Sequence, residues 1–259
     1  MAKSLTQPLP AIPIGETLTY EVSWWGVPVG RVKLTSEPAG AGRAKLTLTG
    51  DTKWTLDPVY PIRVEMSSVV DPVTVKPYRF ESYLKRRWMR HESTILFDYD
   101  KSQARHELPG DQAETVAITP GIQDGVSMLY YARTLPFQLG KEIPLQIAAN
   151  GKNWDLKGKV VQAHLIRIGR LGEWPAVEGE IELAYPVPFF HGAKARVWYS
   201  ADRQRIPLLA KISSRIGPVT VVLTDRTLAD SPTAQPAPAP LEAPIAGLTP
   251  APVKVNRNQ

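Results

Sequence analysis

The chain has 259 residues, with 31 Lys and Arg against 25 Asp and Glu, giving a formal charge of +6 and a pI near 9.4. That length and a 43% hydrophobic content suit one large all-β domain or two small ones, and the basic balance favours anionic partners without defining a site. The absence of cysteine excludes disulfides, thiol nucleophiles and thiolate metal sites, and no apolar run approaches the ~20 residues a membrane helix needs.

Residues 1–14, with Pro8, Pro10 and Pro13, read as an extended N-terminal arm. From Gly15 the pattern alternates. Leu18, Tyr20, Val22 and Trp24 fall on one face of a strand, with Thr17, Thr19, Glu21 and Ser23 on the other. Gly26 to Gly30 reads as a turn, Val32 and Leu34 continue the alternation, and a Gly-rich turn at 38–43 leads to Leu46 and Leu48. Further strands are expected at 63–70, 78–85, 88–99, 103–108 and 115–118.

The single helix expected spans 124–135. Asp124 supplies an N-cap, and Pro136 cannot continue the helix. Val126, Leu129, Tyr130 and Arg133 form its stripe, which must pack on a sheet because about three turns are not stable alone.

Beyond Pro136 the strands resume. Ile143, Leu145 and Ile147 alternate, Asn150-Gly151 signals a hairpin, and residues 152–168 are long enough for two strands or one bent one. Strands at 176–185, 195–200 and 205–214 precede a turn at Ile216-Gly217-Pro218 and a last strand through Val219, Val221 and Leu223. Residues 231–252 hold seven of the 25 prolines among alanines, a composition expected to be a disordered, extended tail. The division expected is therefore an arm (1–14), one β-rich domain (15–228) and a Pro/Ala-rich tail (229–259). The fold class is all-β: a large curved antiparallel sheet or open β-barrel of roughly a dozen strands, its helix closing one mouth or lying on the concave face.

Three phrases carry a resemblance. Gly15-Glu-Thr-Leu-Thr-Tyr20 with Trp24, Gly26 and Gly30 resembles the opening of the DUF3108 family, and Asp124-x-x-Ser127-x-x-Tyr130-Tyr131-x-Arg133 resembles its central helix. Trp198-x-Ser200-x-Asp202-x-x-Arg205-Ile-Pro207, followed by Gly217-x-Val219-x-Val221-x-Leu223, is similar to its closing hairpin. The resemblance implies an exported, periplasmic envelope protein of no assigned activity, and it brings no catalytic residue. Residues 1–8 lack the apolar core of a signal peptide, so the expectation is an exported protein whose signal has been removed, or else a cytoplasmic one.

Two groups of residues are candidates for binding. Arg86, Trp88 and Arg90, read as one strand face within Lys85-Arg-Arg-Trp-Met-Arg-His91, interleave cations with an aromatic and could hold an anionic envelope molecule; the same run could instead be a charged hairpin end. Asp124, Arg133, Asp202 and Arg205 lie inside the family-like phrases and could line a cavity mouth, or simply cap the helix and a turn.

No catalytic residue, cofactor or metal is read from the sequence. The four histidines lack ligand spacing, and Asp98-Tyr99-Asp100 lacks the rest of a calcium loop. Glu178, Glu180 and Glu182 share one strand face, which reads as solvated and paired with basic neighbours. The leading functional expectation is a non-enzymatic binding or carrier protein for a lipid-like or anionic envelope ligand. The alternatives are an adaptor reaching an envelope protein through its C-terminal tail and a carboxylate-dependent envelope hydrolase. Nucleic acid is not expected as a partner.

Overall fold

The structure is a computed structural model and describes residues 12–52, 61–183, 192–214 and 217–229. The Pro/Ala-rich tail, most of the N-terminal arm and Ile216 lie outside the described residues.

Alternating strands joined by short turns have a simple solution, in which each strand pairs with the next. The fourteen strands of the described residues follow it, except that the eighth does not pair with the ninth. They are β1 (Glu16–Trp24), β2 (Val27–Pro38), β3 (Ala44–Thr52), β4 (Ile62–Val70), β5 (Pro77–Arg86), β6 (Met89–Asp98), β7 (Gln103–Glu107) and β8 (Glu114–Ala117), then β9 (Glu142–Ala149), β10 (Lys152–Ile168), β11 (Gly172–Leu183), β12 (Ala193–Ser200), β13 (Pro207–Ser214) and β14 (Gly217–Leu228). The sheet order is β8-β7-β6-β5-β4-β3-β2-β1-β14-β13-β12-β11-β10-β9, antiparallel throughout, with β1 and β14 side by side in the middle. This is the expected all-β, curved, open architecture.

The structure sharpens local readings at three places. The expected turn at Gly26–Gly30 is shorter: β2 begins at Val27, and a register shift between Val22 and Ser23 accommodates the extra residue. Residues 152–168 form one strand with an irregularity between Val160 and Gln162. Asn150 and Gly151 both have positive φ (50° and 71°), as a two-residue hairpin turn of this kind requires.

The helix α1 spans Ser127–Thr134, shorter than the expected 124–135. Its capping role still falls to Asp124. The Asp124 Oδ1 accepts the N–H groups of Val126 and Ser127 (2.8 Å each), and the Asp124 N–H donates to Ser127 Oγ (2.8 Å), a reciprocal box that satisfies the first turn. Val126, Tyr130 and Arg133 are buried as the stripe requires. Val126 and Tyr130 join the main core with Leu18, Leu34, Leu46, Phe80 and Ile95, while Met128 and Leu135 pack on a smaller cluster of Leu145, Ile147 and Leu156.

The sheet curls around this core until its two edges approach each other. It does not close strand to strand. The seam is tied by Gln123, which makes an isolated parallel bridge to Ile147, by Asn153 Nδ2 donating to the Ala117 carbonyl, and by the Gly151 N–H donating to His106 Nδ1 (3.2 Å).

Candidate ligand-binding site

Register across β1 to β7 defines the concave face row by row. The row nearest α1 is Ser36, Leu46, Ser68, Phe80, Ile95 and His106, all buried. In the next row Leu18 and Leu34 are buried, but Leu48, Met66, Ser82 and Ser93 are only half-buried. One row further, Tyr20 is buried, Val32, Gly50, Val64 and Leu84 are half-buried and His91 is exposed. The outermost residues include half-buried Val22, Ile62 and Arg86, with exposed Met89. Burial therefore falls along β3 to β6 away from the helix. The core fills one end of the concave face, and among the described residues the other end is an apolar, half-covered trough.

The trough's polar groups are few. Ser82 and Ser93 hydrogen-bond each other across β5 and β6 (2.8 Å), and Arg86 and His91 stand toward the open end. The three rows beyond the one nearest α1 contain no carboxylate. The arrangement can hold a long apolar group and place an anionic one beside Arg86 and His91.

Arg86, Trp88 and Arg90 do not share a face. Arg87 and Trp88 form the β5–β6 turn, so Arg86 pairs with Met89 and Lys85 with Arg90, which puts Arg86 on the concave face and Arg90 on the convex one. The grouping of Arg86, Trp88 and Arg90 on one strand face does not survive this reversal, whereas the alternative of a charged hairpin end does; the positive φ of Arg87 (51°) marks the turn. Arg90 bonds Glu92 (2.5 Å) and lies 5.1 Å from the Tyr83 ring centroid. Trp88 is 85% exposed, with the Arg87 guanidinium 5.5 Å from its ring. Arg90, His91, Glu92, Leu108, Pro109 and Asp111 line a groove of about 450 Å³ beside this hairpin.

Asp124, Arg133, Asp202 and Arg205 come together elsewhere, around the two ends of α1. Ser68 Oγ donates to Asp124 Oδ2 (2.6 Å), and burial pushes the Asp124 carboxyl above its usual range against the pull of Ser68 and the capping N–H groups. Ser68 faces Phe80, six residues from Arg86 along β5, or about 20 Å of strand. The two candidate groups are thus separate.

At the other end of the helix, Arg133 meets a partner that sequence reasoning missed. Its guanidinium donates to both oxygens of fully buried Glu16 (2.5 and 3.3 Å) and to the Gln204 carbonyl (3.1 Å). Arg226 adds a second guanidinium to Glu16 (2.9 Å). Burial opposes charge on Arg133, but the Glu16 carboxylate overrides it and raises the guanidinium's pKa. Burial raises the phenol of Tyr199 to about 12, with Arg133 opposing, so the ring stays neutral beside this cluster.

Asp202 accepts from Ser200 Oγ (2.7 Å) and from the Gln204 and Arg205 N–H groups, closing the β12–β13 turn. Arg205 donates to the carbonyls of Arg133 and Leu135 at the helix C-terminus. A cavity of about 250 Å³ lies over this cluster, lined by Ile12, Tyr130, Arg133, Gln204 and Arg226 among others. The signal for Glu16 was present in the sequence, since it is in phase with Leu18 and Tyr20 on the buried face of β1.

The glutamate row also differs in part. Glu180 pairs with Arg196 (2.8 Å) as a solvated face would, but Glu178 is 1% exposed and takes a hydrogen bond from Gln162 (2.7 Å), with Arg196 3.5 Å away. Asp98 closes a turn by accepting the Lys101 N–H (3.0 Å). Among the described residues no group of three His, Asp or Glu is placed to hold a metal ion, and no helix is long and apolar enough to cross a membrane.

The fold and site define a class: an open, β-barrel-like sheet with a helix packed into one end and an apolar concave face at the other. The chain matches the family described as "Protein of unknown function (DUF3108)" over residues 19–224 and belongs to it. Among solved structures it is similar to a β-barrel-like protein of domain of unknown function DUF1849 from Brucella abortus, with a TM-score of 0.56 and 9% identity over 85% of this chain and 100% of that one. At that identity the likeness concerns the fold alone. A hypothetical protein, CT021, from Chlamydia trachomatis aligns with a TM-score of 0.37 and 8% identity, covering 87% of this chain and 93% of that one. Comparison with curated proteins gave no match.

Proposed function

We propose that this protein is a non-enzymatic periplasmic carrier that holds a lipid-like molecule with an anionic head on the concave face of β2 to β6. The observation that carries the reading is the burial gradient. Val32, Leu48, Val64, Met66 and Leu84 point toward the interior yet are only half-buried, so folding leaves apolar surface there that an acyl chain would cover.

Apolar contact decides the ligand class. Ten buried methylenes contribute about 8 kcal/mol before the costs of association, whereas Arg86 and His91 serve mainly to orient a negative head. A purely polar anionic polymer would leave this lining uncovered. The trough spans four strand spacings, about 19 Å from β2 to β6.

Native mass spectrometry of the full chain, purified gently from its own envelope and followed by organic extraction, tests the reading. A discrete acyl lipid bound one per chain is expected. An apo mass that does not shift when envelope lipids are added would overturn it.

A further inference from the structure

The hairpin tips at the open end of the trough carry apolar side chains that neither the core nor the ligand reading uses. At the β1–β2 tip Trp24, Trp25 and Val27 are 44%, 66% and 59% exposed, and at the β5–β6 tip Trp88 and Met89 are 85% and 61% exposed. Strands β1 and β5 run in the same direction, so both tips project from the same end of the sheet, four strand spacings or about 19 Å apart along it.

Trp25 is positioned there rather than merely left over. Its N–H donates to the Pro218 carbonyl (3.1 Å), and a Cβ on Gly217 would fall 2.2 Å from its indole nitrogen, so the ring lies across a residue that has no side chain. Exposed indoles are expensive in water and favoured at the headgroup level of a bilayer, where one edge is apolar and the other wet.

The charges beside the tips are arranged to match. In-register pairing sets Glu21, Arg31, Asp51, Arg63, Lys85 and Arg90 in one row on the convex face, so the cations gather toward β5 and β6, and Arg86 and Arg87 lie beyond that row, next to Trp88. Among the described residues, cations therefore outnumber carboxylates around the β5–β6 tip, even with Glu92 paired to Arg90. A neutral protein partner would meet the tryptophans but leave this surplus unmatched. An anionic lipid surface meets both.

We infer that the β1–β2 and β5–β6 tips dock this protein on an anionic bilayer, inserting Trp25 and Trp88 at the interface and setting the open end of the trough against the lipid. This rests on the carrier reading for its purpose, not for its geometry.

The test is flotation of the full chain with phosphatidylglycerol/phosphatidylethanolamine vesicles and, separately, with neutral phosphatidylcholine vesicles. Binding to the anionic vesicles that weakens with salt is expected. Trp88→Glu should lower it about ten-fold or more, and Arg87→Gln about five-fold. Leu165→Glu, at an exposed apolar position on β10 away from both tips, should leave it unchanged. A dansyl-labelled fatty acid, added without vesicles, reports trough occupancy in the same variants. Equal binding to neutral and anionic vesicles, no binding to either, or binding indifferent to Trp88→Glu overturns the docking inference whether or not the probe binds. Loss of probe binding alone, with anionic vesicles still bound, overturns the carrier reading and leaves docking standing.

Discussion

Replacing Glu16 should damage the fold far more than its position near the start of β1 suggests. Its carboxylate is fully buried and engages two guanidiniums, those of Arg133 and Arg226, whose side chains are 6% and 12% exposed. Glu16→Ala removes every one of those contacts and leaves Arg133 charged in a site it cannot leave, because Arg133 is held by α1 and by the Gln204 carbonyl. Breaking a buried ion pair from one side costs about 3–5 kcal/mol, against a typical total stability of about 5–15 kcal/mol. The assay is urea unfolding followed by tryptophan fluorescence, with the m-value compared between variants to confirm that the unfolding reaction is the same. The double variant Glu16→Leu with Arg133→Met should recover part of the loss, since a matched apolar pair removes the stranded charge of Arg133, while Arg226 keeps only its bond to Gln204 Oε1. A loss below about 1 kcal/mol for Glu16→Ala would refute the reasoning, because it would mean that water reaches Arg133 in the folded protein.

Two further predictions concern the helix start and the seam. Asp124→Ala should cost about 2 kcal/mol by removing the acceptor of two first-turn N–H groups and of Ser68, while Asp124→Asn should cost less because its amide oxygen can keep the cap; equal losses in thermal melts would contradict the assignment. Burial holds the pKa of His106 below the ordinary imidazole value, with Glu114 pulling the other way, so the folded state binds fewer protons than the unfolded one. Its contribution is therefore constant above the unfolded value of about 6.5 and is lost as pH falls from there toward the folded pKa. His106→Gln, whose side-chain oxygen can accept the Gly151 N–H, should show a shallower fall in urea midpoint between neutral and mildly acidic pH; identical slopes would count against a role for His106 at the seam.

Much of the fold could be read from period-two alternation. Leu18, Tyr20 and Val22, or Ile143, Leu145 and Ile147, specify strand and face together, and turns such as Asn150-Gly151 specify the meander. The helix was equally legible because Asp124 and the Val126–Tyr130–Arg133 stripe agree with each other. The Glu16–Arg133–Arg226 cluster was legible only in principle. Glu16 and Arg133 could each be assigned to a buried face, but Arg226 is out of phase with Val219, Val221 and Leu223 and reaches the cluster through the register shift between Thr19 and Tyr20. The meeting also depends on α1 crossing to reach β1. The trough was not legible. Val64 and Leu84 look like core residues in sequence, and only register across neighbouring strands shows that they lie beyond the buried rows and are half-buried among the described residues. Glu178 was misjudged for the same reason, since its burial depends on how β10 and β12 lie beside it.

Because the chain has no cysteine, one introduced thiol reports from one place. Val64 and Glu65 are neighbours on β4 facing opposite sides of the sheet, Val64 toward the trough and Glu65 toward solvent. Val64→Cys and Glu65→Cys, each carrying an environment-sensitive fluorophore, would be titrated with a long-chain fatty acid. A saturable spectral shift at position 64, with none at position 65, is the predicted result. No shift at either position, or the same shift at both, would contradict a ligand site on the concave face.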